Sequence, residues 1–175
     1  MSDVTLNPQS DRAKSILNYL NSVNFMRQQS FQGKLPAGVV YRGVEDFLLN
    51  NARFFKKRSF DVKPMRLKRC YNNALSLMLE SRGKLFYCEG YASGIIPVMH
   101  AWCCDANGVV YDPTWQNDIL RNEEDQYFGC VFDSEFVTTL ALLTGAGGVL
   151  SDEIDAAADH VLYNTCELHE INSYV

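Results

Sequence analysis

CYNNALSLMLESRGKLFYCEGYASGIIPVMHAWCCDANGVVYDPTW, residues 70–115, is the stretch on which the reading of this chain turns. Ala74, Leu75, Met78 and Leu79 recur at helical spacing behind Cys70 and predict a helix that Gly83 terminates. Cys70, Ala74 and Met78 share one stripe of that helix, so its buried side carries the cysteine. Lys84 to Tyr91 then alternates as a strand, with Leu85 and Tyr87 on one face and Phe86 and Cys88 on the other. Ser93 to Pro97 interrupts the pattern, and Val98 to Cys104 resumes it. Asp105-Ala106-Asn107-Gly108 is a strong turn signal before a third short strand, Val109 to Asp112. The strands flanking that turn are expected to pair antiparallel, which brings His100 and Asp112 to neighbouring positions.

A thiol, an imidazole and a carboxylate are the groups that thiol-dependent acyl transfer needs. The thiolate attacks a carbonyl, the imidazole moves the proton, and the carboxylate holds the imidazole in one tautomer. At a helix start, the Cys70 sulfur faces unpaired backbone N–H groups, with Lys68 and Arg69 adding positive charge; both favour thiolate and supply part of an oxyanion hole. His100 is the candidate general base and acid. Asp112, before Pro113 and therefore biased toward extended geometry, is the group to orient it. A lone cysteine on a helix stripe is more often core, a lone histidine in a strand is more often a satisfied structural residue, and Asp-Pro is also a turn signal. Each bland reading weakens once the three occur together. Asp105 is the weaker acid because its carboxylate can serve the turn. His160 fits a packed helix residue and His169 a solvated tail residue. Trp102 shares a strand face with His100 and Trp115 follows Asp112; either can shield the imidazole or be ordinary core. Glu89, beside Gly90 and Tyr91, is a candidate for recognising a cationic or hydrogen-bond-donating group on a substrate, against the more common reading of a solvated strand end.

On the N-terminal side, Asn7 can cap a helix beginning at Pro8, with Ile16, Leu17, Leu20 and Val23 along its apolar side to about residue 29. Val44, Phe47, Leu48, Asn51 and Phe55 predict a second helix to about Lys57, followed by an irregular segment to Arg69. On the C-terminal side, Tyr127 to Phe132 is a further strand. Phe136 to Leu143 is a helix introduced by Ser134 and stopped by Gly145, Gly147 and Gly148. Ser151 can cap a last helix with Ile154, Ala157, Ala158 and Val161 inward. The sum is an α+β domain of three helices, an antiparallel sheet of three to five strands, and two more helices.

With 175 residues, 47% of them hydrophobic, the chain is long enough for one substantial core, and residues 1–175 are expected to form a single domain. It has no run of 18 or more apolar residues and no basic-then-apolar leader, so the expectation is a cytoplasmic protein without membrane contact. The six cysteines, at 70, 88, 103, 104, 130 and 166, are expected to be reduced and mostly buried. No CxxC or HExxH spacing is present, and adjacent Cys103 and Cys104 point to opposite strand faces, so no metal site is expected. The net charge of −5 conceals two unlike regions. Arg53 to Arg69 holds eight basic residues and one acid, whereas beyond Arg121 there are eleven carboxylates and no lysine or arginine. The basic run is available to an acidic partner, or to the acidic half of its own fold. It lacks a zinc-finger, homeodomain or RNP pattern, which argues against nucleic acid.

Cys70, His100-Ala101-Trp102 and Asp112-Pro113-Thr114, in that order, resemble the transglutaminase-like branch of the papain-like cysteine enzyme superfamily; Gly90-Tyr91 resembles the family's Gly-Tyr strand element. The likeness covers about 46 residues, roughly a quarter of the chain. It implies a nucleophile-bearing helix packed on a small antiparallel sheet, with Cys70 as nucleophile, His100 as base and Asp112 as orienting acid. The expectation for this chain is a cofactor-free enzyme that hydrolyses an amide of a protein, peptide or small molecule through a thioacyl intermediate, with Glu89, Tyr91, Trp102 and Trp115 as candidate substrate contacts. Cross-linking by an amine acceptor and an inert binding domain are the alternatives within the same fold.

Overall fold

A computed structural model describes residues 10–30, 37–93, 96–116, 118, 124–150 and 166–172. The predicted start of the first helix at Asn7-Pro8 and the predicted helix after Ser151 lie outside these residues, as does His160. Four helices are described, α1 (Asp11–Ser30), α2 (Val44–Asn51), α3 (Cys70–Glu80) and α4 (Ser134–Thr144). None of them is long and apolar enough to cross a membrane. The strands are β1 (Arg53–Phe54), β2 (Arg58–Ser59), β3 (Phe86–Ser93), β4 (Pro97–Cys104), β5 (Val110–Tyr111) and β6 (Gln126–Val131).

These strands form one sheet in the order β1-β6-β3-β4-β5-β2. Neighbours are antiparallel except β2, which runs parallel to β5. The chain is therefore α+β, with one strand more than the sequence leads one to expect. β1 lies where the second helix was expected to continue, and β2 lies in the segment expected to be irregular. The helix stops at Asn51 because Asn50 and Asn51 turn their amides back onto the Asp46 and Phe47 carbonyls, and Ala52 is extended. Phe54 and Phe55 then point to opposite faces of the sheet, a period of two rather than of 3.6. At α4 the cap is Asp133, one residue before the expected Ser134; its carboxylate accepts from the Glu135 and Phe136 N–H groups. Gly145, at φ +70°, ends that helix as anticipated.

The sheet separates two apolar layers. Helices cover one face, where Ile16, Leu20, Leu48, Ala74 and Met78 pack onto Tyr87, Cys103 and Phe128. The other face carries Cys88, Trp102, Cys104 and Val131, closed over by Phe55, Val110 and Trp115. Cys103 and Cys104 do fall on opposite faces. At Ser10 a side-chain oxygen accepts the Ala13 N–H and starts α1, and Arg12 reaches Asp125 at 2.6 Å to fix that helix against the start of β6.

The central pairing admits no side chain at one crossing point. Gly90 of β3 lies opposite His100 of β4 and Gly129 of β6. A Cβ on Gly90 would sit 2.2 Å from the Phe128 carbonyl oxygen and 2.5 Å from Gly129 Cα, both backbone atoms that cannot swing aside. Gly90→Ala is accordingly expected to cost about 3 kcal/mol in chemical denaturation. A loss below about 1 kcal/mol would mean that β3 and β6 separate easily at this point.

Candidate active site

β4 pairs with β5 only through Cys103↔Tyr111 and Cys104↔Val110, so His100 lies beyond the paired region. After Tyr111 the chain leaves the sheet in a turn built on Asp112. One carboxylate oxygen, Oδ1, accepts the Thr114 and Trp115 N–H groups at 2.9 and 3.1 Å. The other, Oδ2, lies 2.8 Å from His100 Nε2 and accepts the Tyr127 hydroxyl at 2.9 Å. All four contacts favour the ionised acid. Burial pushes the Asp112 pKa up, but the charge and hydrogen bond of His100, with the Trp115 N–H and Tyr127, outweigh it and leave it below the usual value.

His100 is 2% exposed and its ring lies face to face on Trp115, 4.0 Å between centroids and 16° between planes. Burial disfavours the imidazolium; the Asp112 charge and hydrogen bond, with a smaller contribution from nearby Cys70, more than compensate and push the pKa up to about 9. With Nε2 occupied by Asp112, Nδ1 is the nitrogen left to exchange a proton with the Cys70 thiol.

Cys70 opens α3 and is half-buried. The helix receives no side-chain cap hydrogen bond at Arg69, and Cys70 as its first residue lies at the positive end of the helix. Lys68, just before the cap, is held at φ +61°, a left-handed conformation unusual for a lysine. Asn73, one turn into α3, fixes the helix against the acid segment: its amide donates to the Arg66 carbonyl at 2.7 Å and to Thr114 Oγ1 at 2.9 Å. The helix that carries the thiol and the segment that carries the carboxylate are thus tied to each other. Cys88, Cys103 and Cys130 are buried, and burial pushes their thiol pKa values up; Cys166 is pushed up to about 12 by burial and the nearby Glu89.

Of the seven residues singled out from sequence, Cys70, His100, Asp112 and Trp115 come together. Trp102 stands behind His100 on the same strand face, 6.4 Å between ring centroids, and is fully buried against Phe55 and Tyr127. It is core and cannot touch a substrate. Glu89 and Tyr91 alternate onto the helix-covered face. Tyr91 packs on Tyr19 with its hydroxyl on Glu45. Glu89 is neither solvated nor open to a substrate: it is fully buried and accepts from the Tyr87 hydroxyl and the N–H groups of Val149 and Leu150. Asp105 is taken up by its turn, accepting from Asn107 and Val109. His169 is no free tail residue, since its ring stacks on Phe86 at 4.2 Å and its N–H bonds the Val131 carbonyl.

Two contributors carry no local signal in the sequence. Tyr127 reaches Asp112 only because β6 and β4 both flank β3. Gly147 sits against the first turn of α3, where a Cβ would meet Asn72 Oδ1 at 2.5 Å, and its carbonyl lies 2.7 Å from the Tyr87 hydroxyl. Three glycines in four residues exceed what stopping α4 requires, and that surplus is the only hint. Compared with known proteins, the chain matches no family model, no curated protein and no solved structure.

Proposed function

We propose that the protein is a cysteine hydrolase with a transglutaminase-like core, cleaving an amide bond through a thioacyl-enzyme intermediate. The observation that carries this reading is the 2.8 Å contact of His100 with Asp112 beside Cys70, which is near enough to raise the His100 pKa and opens a helix at its N-terminus. An imidazole with its pKa near 9 is protonated at neutral pH, so it stabilises a thiolate beside it and already holds the proton that the leaving amine requires.

Cys70 Sγ forms a bond to the amide carbon, and the carbonyl π electrons move to oxygen. The backbone N–H at Cys70, the start of α3, stabilises that oxyanion. As the oxyanion collapses, the C–N bond breaks and His100 protonates the departing nitrogen. Water then loses a proton to His100 and its oxygen adds to the thioester carbon, the carbonyl π electrons moving to oxygen; as that oxyanion collapses the C–S bond breaks, releasing a carboxylic acid and restoring the Cys70 thiolate beside protonated His100. A primary amine in place of water gives cross-linking by the same steps. Trp115 limits solvent access to the imidazole throughout.

Incubation of the whole protein with a library of peptide and glutamine-amide substrates, quenched in acid and read by mass spectrometry, tests the proposal. A hydroxylamine-labile acyl adduct on Cys70 alone among the six cysteines, absent in Cys70→Ala, is the expected result. Release of amine that persists in Cys70→Ala, or an adduct on another cysteine, overturns it.

A further inference from the structure

We propose that the segment entering this site is an acidic peptide, held by a basic rim formed by Lys63, Arg66, Lys68 and Arg69. The inference rests on the acyl-transfer reading above and names its substrate class.

The fold places six of the eight basic residues of the run Arg53–Arg69 in two groups. Arg53 donates to the Ala52 carbonyl, and Arg58 is buried, donating to the Trp115 carbonyl while its guanidinium lies 4.8 Å from the centre of the Phe60 ring. Those two serve the scaffold. Lys63, Arg66, Lys68 and Arg69 are exposed, and among the described residues their side chains form no ion pair or hydrogen bond. Their position is fixed by backbone contacts to the catalytic segment. The Met65 N–H donates to the Pro113 carbonyl at 2.8 Å, and Asn73 of α3 holds the Arg66 carbonyl at 2.7 Å. Lys68 and Arg69 immediately precede the half-exposed thiol, with the left-handed turn at Lys68 bending the chain into the helix.

Four like charges within seven residues repel one another, and no described carboxylate offsets them, although the chain as a whole carries −5. Such a rim, beside a nucleophile, raises the local concentration of an anionic ligand and speeds its encounter. Two macromolecular anions fit the charge. Only the peptide supplies an acyl carbon for the thiol, so the position of the rim at Cys70 favours acidic side chains flanking the scissile amide over a nucleic acid.

The test alkylates Cys70 in the full chain with three chloroacetyl peptides alike except for a triglutamate, triglutamine or trilysine segment. At low salt the triglutamate probe is expected to label Cys70 about tenfold faster than triglutamine, with trilysine slower still. The differences should shrink at high salt, and the anionic-to-neutral ratio should fall toward one in R66Q/K68Q. Equal rates for all three probes on the unaltered protein overturn the proposal, and so does a ratio that R66Q/K68Q leaves intact, which would assign the selectivity to His100. Protection of Cys70 by an RNA oligonucleotide but not by polyglutamate overturns it in favour of a nucleic acid. Charge-selective alkylation without any acyl adduct on Cys70 would instead retain the rim and remove the hydrolase.

Discussion

Asp112→Asn is expected to lower the rate of Cys70 acylation by about 10⁴ while the protein remains folded, a magnitude taken from the equivalent change in a serine triad. The amide oxygen of an asparagine can keep the Thr114 and Trp115 N–H groups that Asp112 Oδ1 now accepts, so the turn survives. Its NH2 group then faces His100 Nε2, where the carboxylate oxygen stood. A donor at that position forces the neutral imidazole to carry its proton on Nδ1, the nitrogen that has to take one from Cys70. The pKa near 9 also depends on the Asp112 charge, because burial alone pulls it the other way. NMR titration of the His100 ring should therefore show the midpoint falling to or below the ordinary histidine value in the variant. A rate within tenfold of the unaltered protein, or an unmoved titration, would mean that the carboxylate neither orients nor charges the imidazole.

His100 and Asp112 can be read from sequence as partners because their contact is local: twelve residues, one turn and a period of two settle which side chains are near. Cys70 is a longer step, joined to them through the order of thiol, imidazole and acid rather than through spacing. The structure adds the physical link that the sequence cannot supply, the Asn73 amide bridging the Arg66 carbonyl and Thr114. Non-local pairing hides the remainder. Tyr127 donates to Asp112 across a strand order that no local pattern specifies, and β2 pairs parallel with β5 through two residues whose sequence reads as irregular.

The extent of α2 and the role of Glu89 differ from the sequence expectation for different physical reasons. Val44, Phe47, Leu48 and Asn51 do mark one helical side, but Asn50 and Asn51 compete for the backbone and the aromatic pair after Ala52 belongs to a strand. Glu89 falls next to His100 along the hairpin, yet strand alternation sends it to the opposite face, where its acceptors match a segment sixty residues away. A glutamate in a strand carries no mark distinguishing a surface position from a buried one until its donors are known.

Glu89→Leu is expected to lower unfolding stability by about 4 kcal/mol, since it strands two buried backbone donors, Val149 N–H and Leu150 N–H, at about 1–3 kcal/mol each. The Tyr87 hydroxyl is spared because the Gly147 carbonyl lies 2.7 Å from it. Glu89→Gln keeps one acceptor oxygen and is expected to cost less, and its cost depends on pH in a way that identifies the carboxyl. Burial, opposed by the three donors, pushes the Glu89 pKa up to about 7, against 4.5 for the ordinary side chain. The folded state therefore holds a proton that the unfolded state releases between those values. The associated stability is fully present below about pH 4.5 and lost as pH rises through about 7, a change on the order of 3 kcal/mol. His100, raised to about 9, acts in the same direction over a higher window, from about 6.5 to 9, and does so equally in both proteins. The difference in stability between the unaltered protein and Glu89→Gln, measured by denaturant titration across pH, should then narrow between pH 4.5 and 7 and stay flat above. A difference that is constant from pH 4.5 to 7 would mean that Glu89 is ionised throughout. In that case the donors at 149 and 150 outweigh its burial, and the segment that packs Gly147 against the first turn of α3 is held by a carboxylate rather than by a protonated carboxyl.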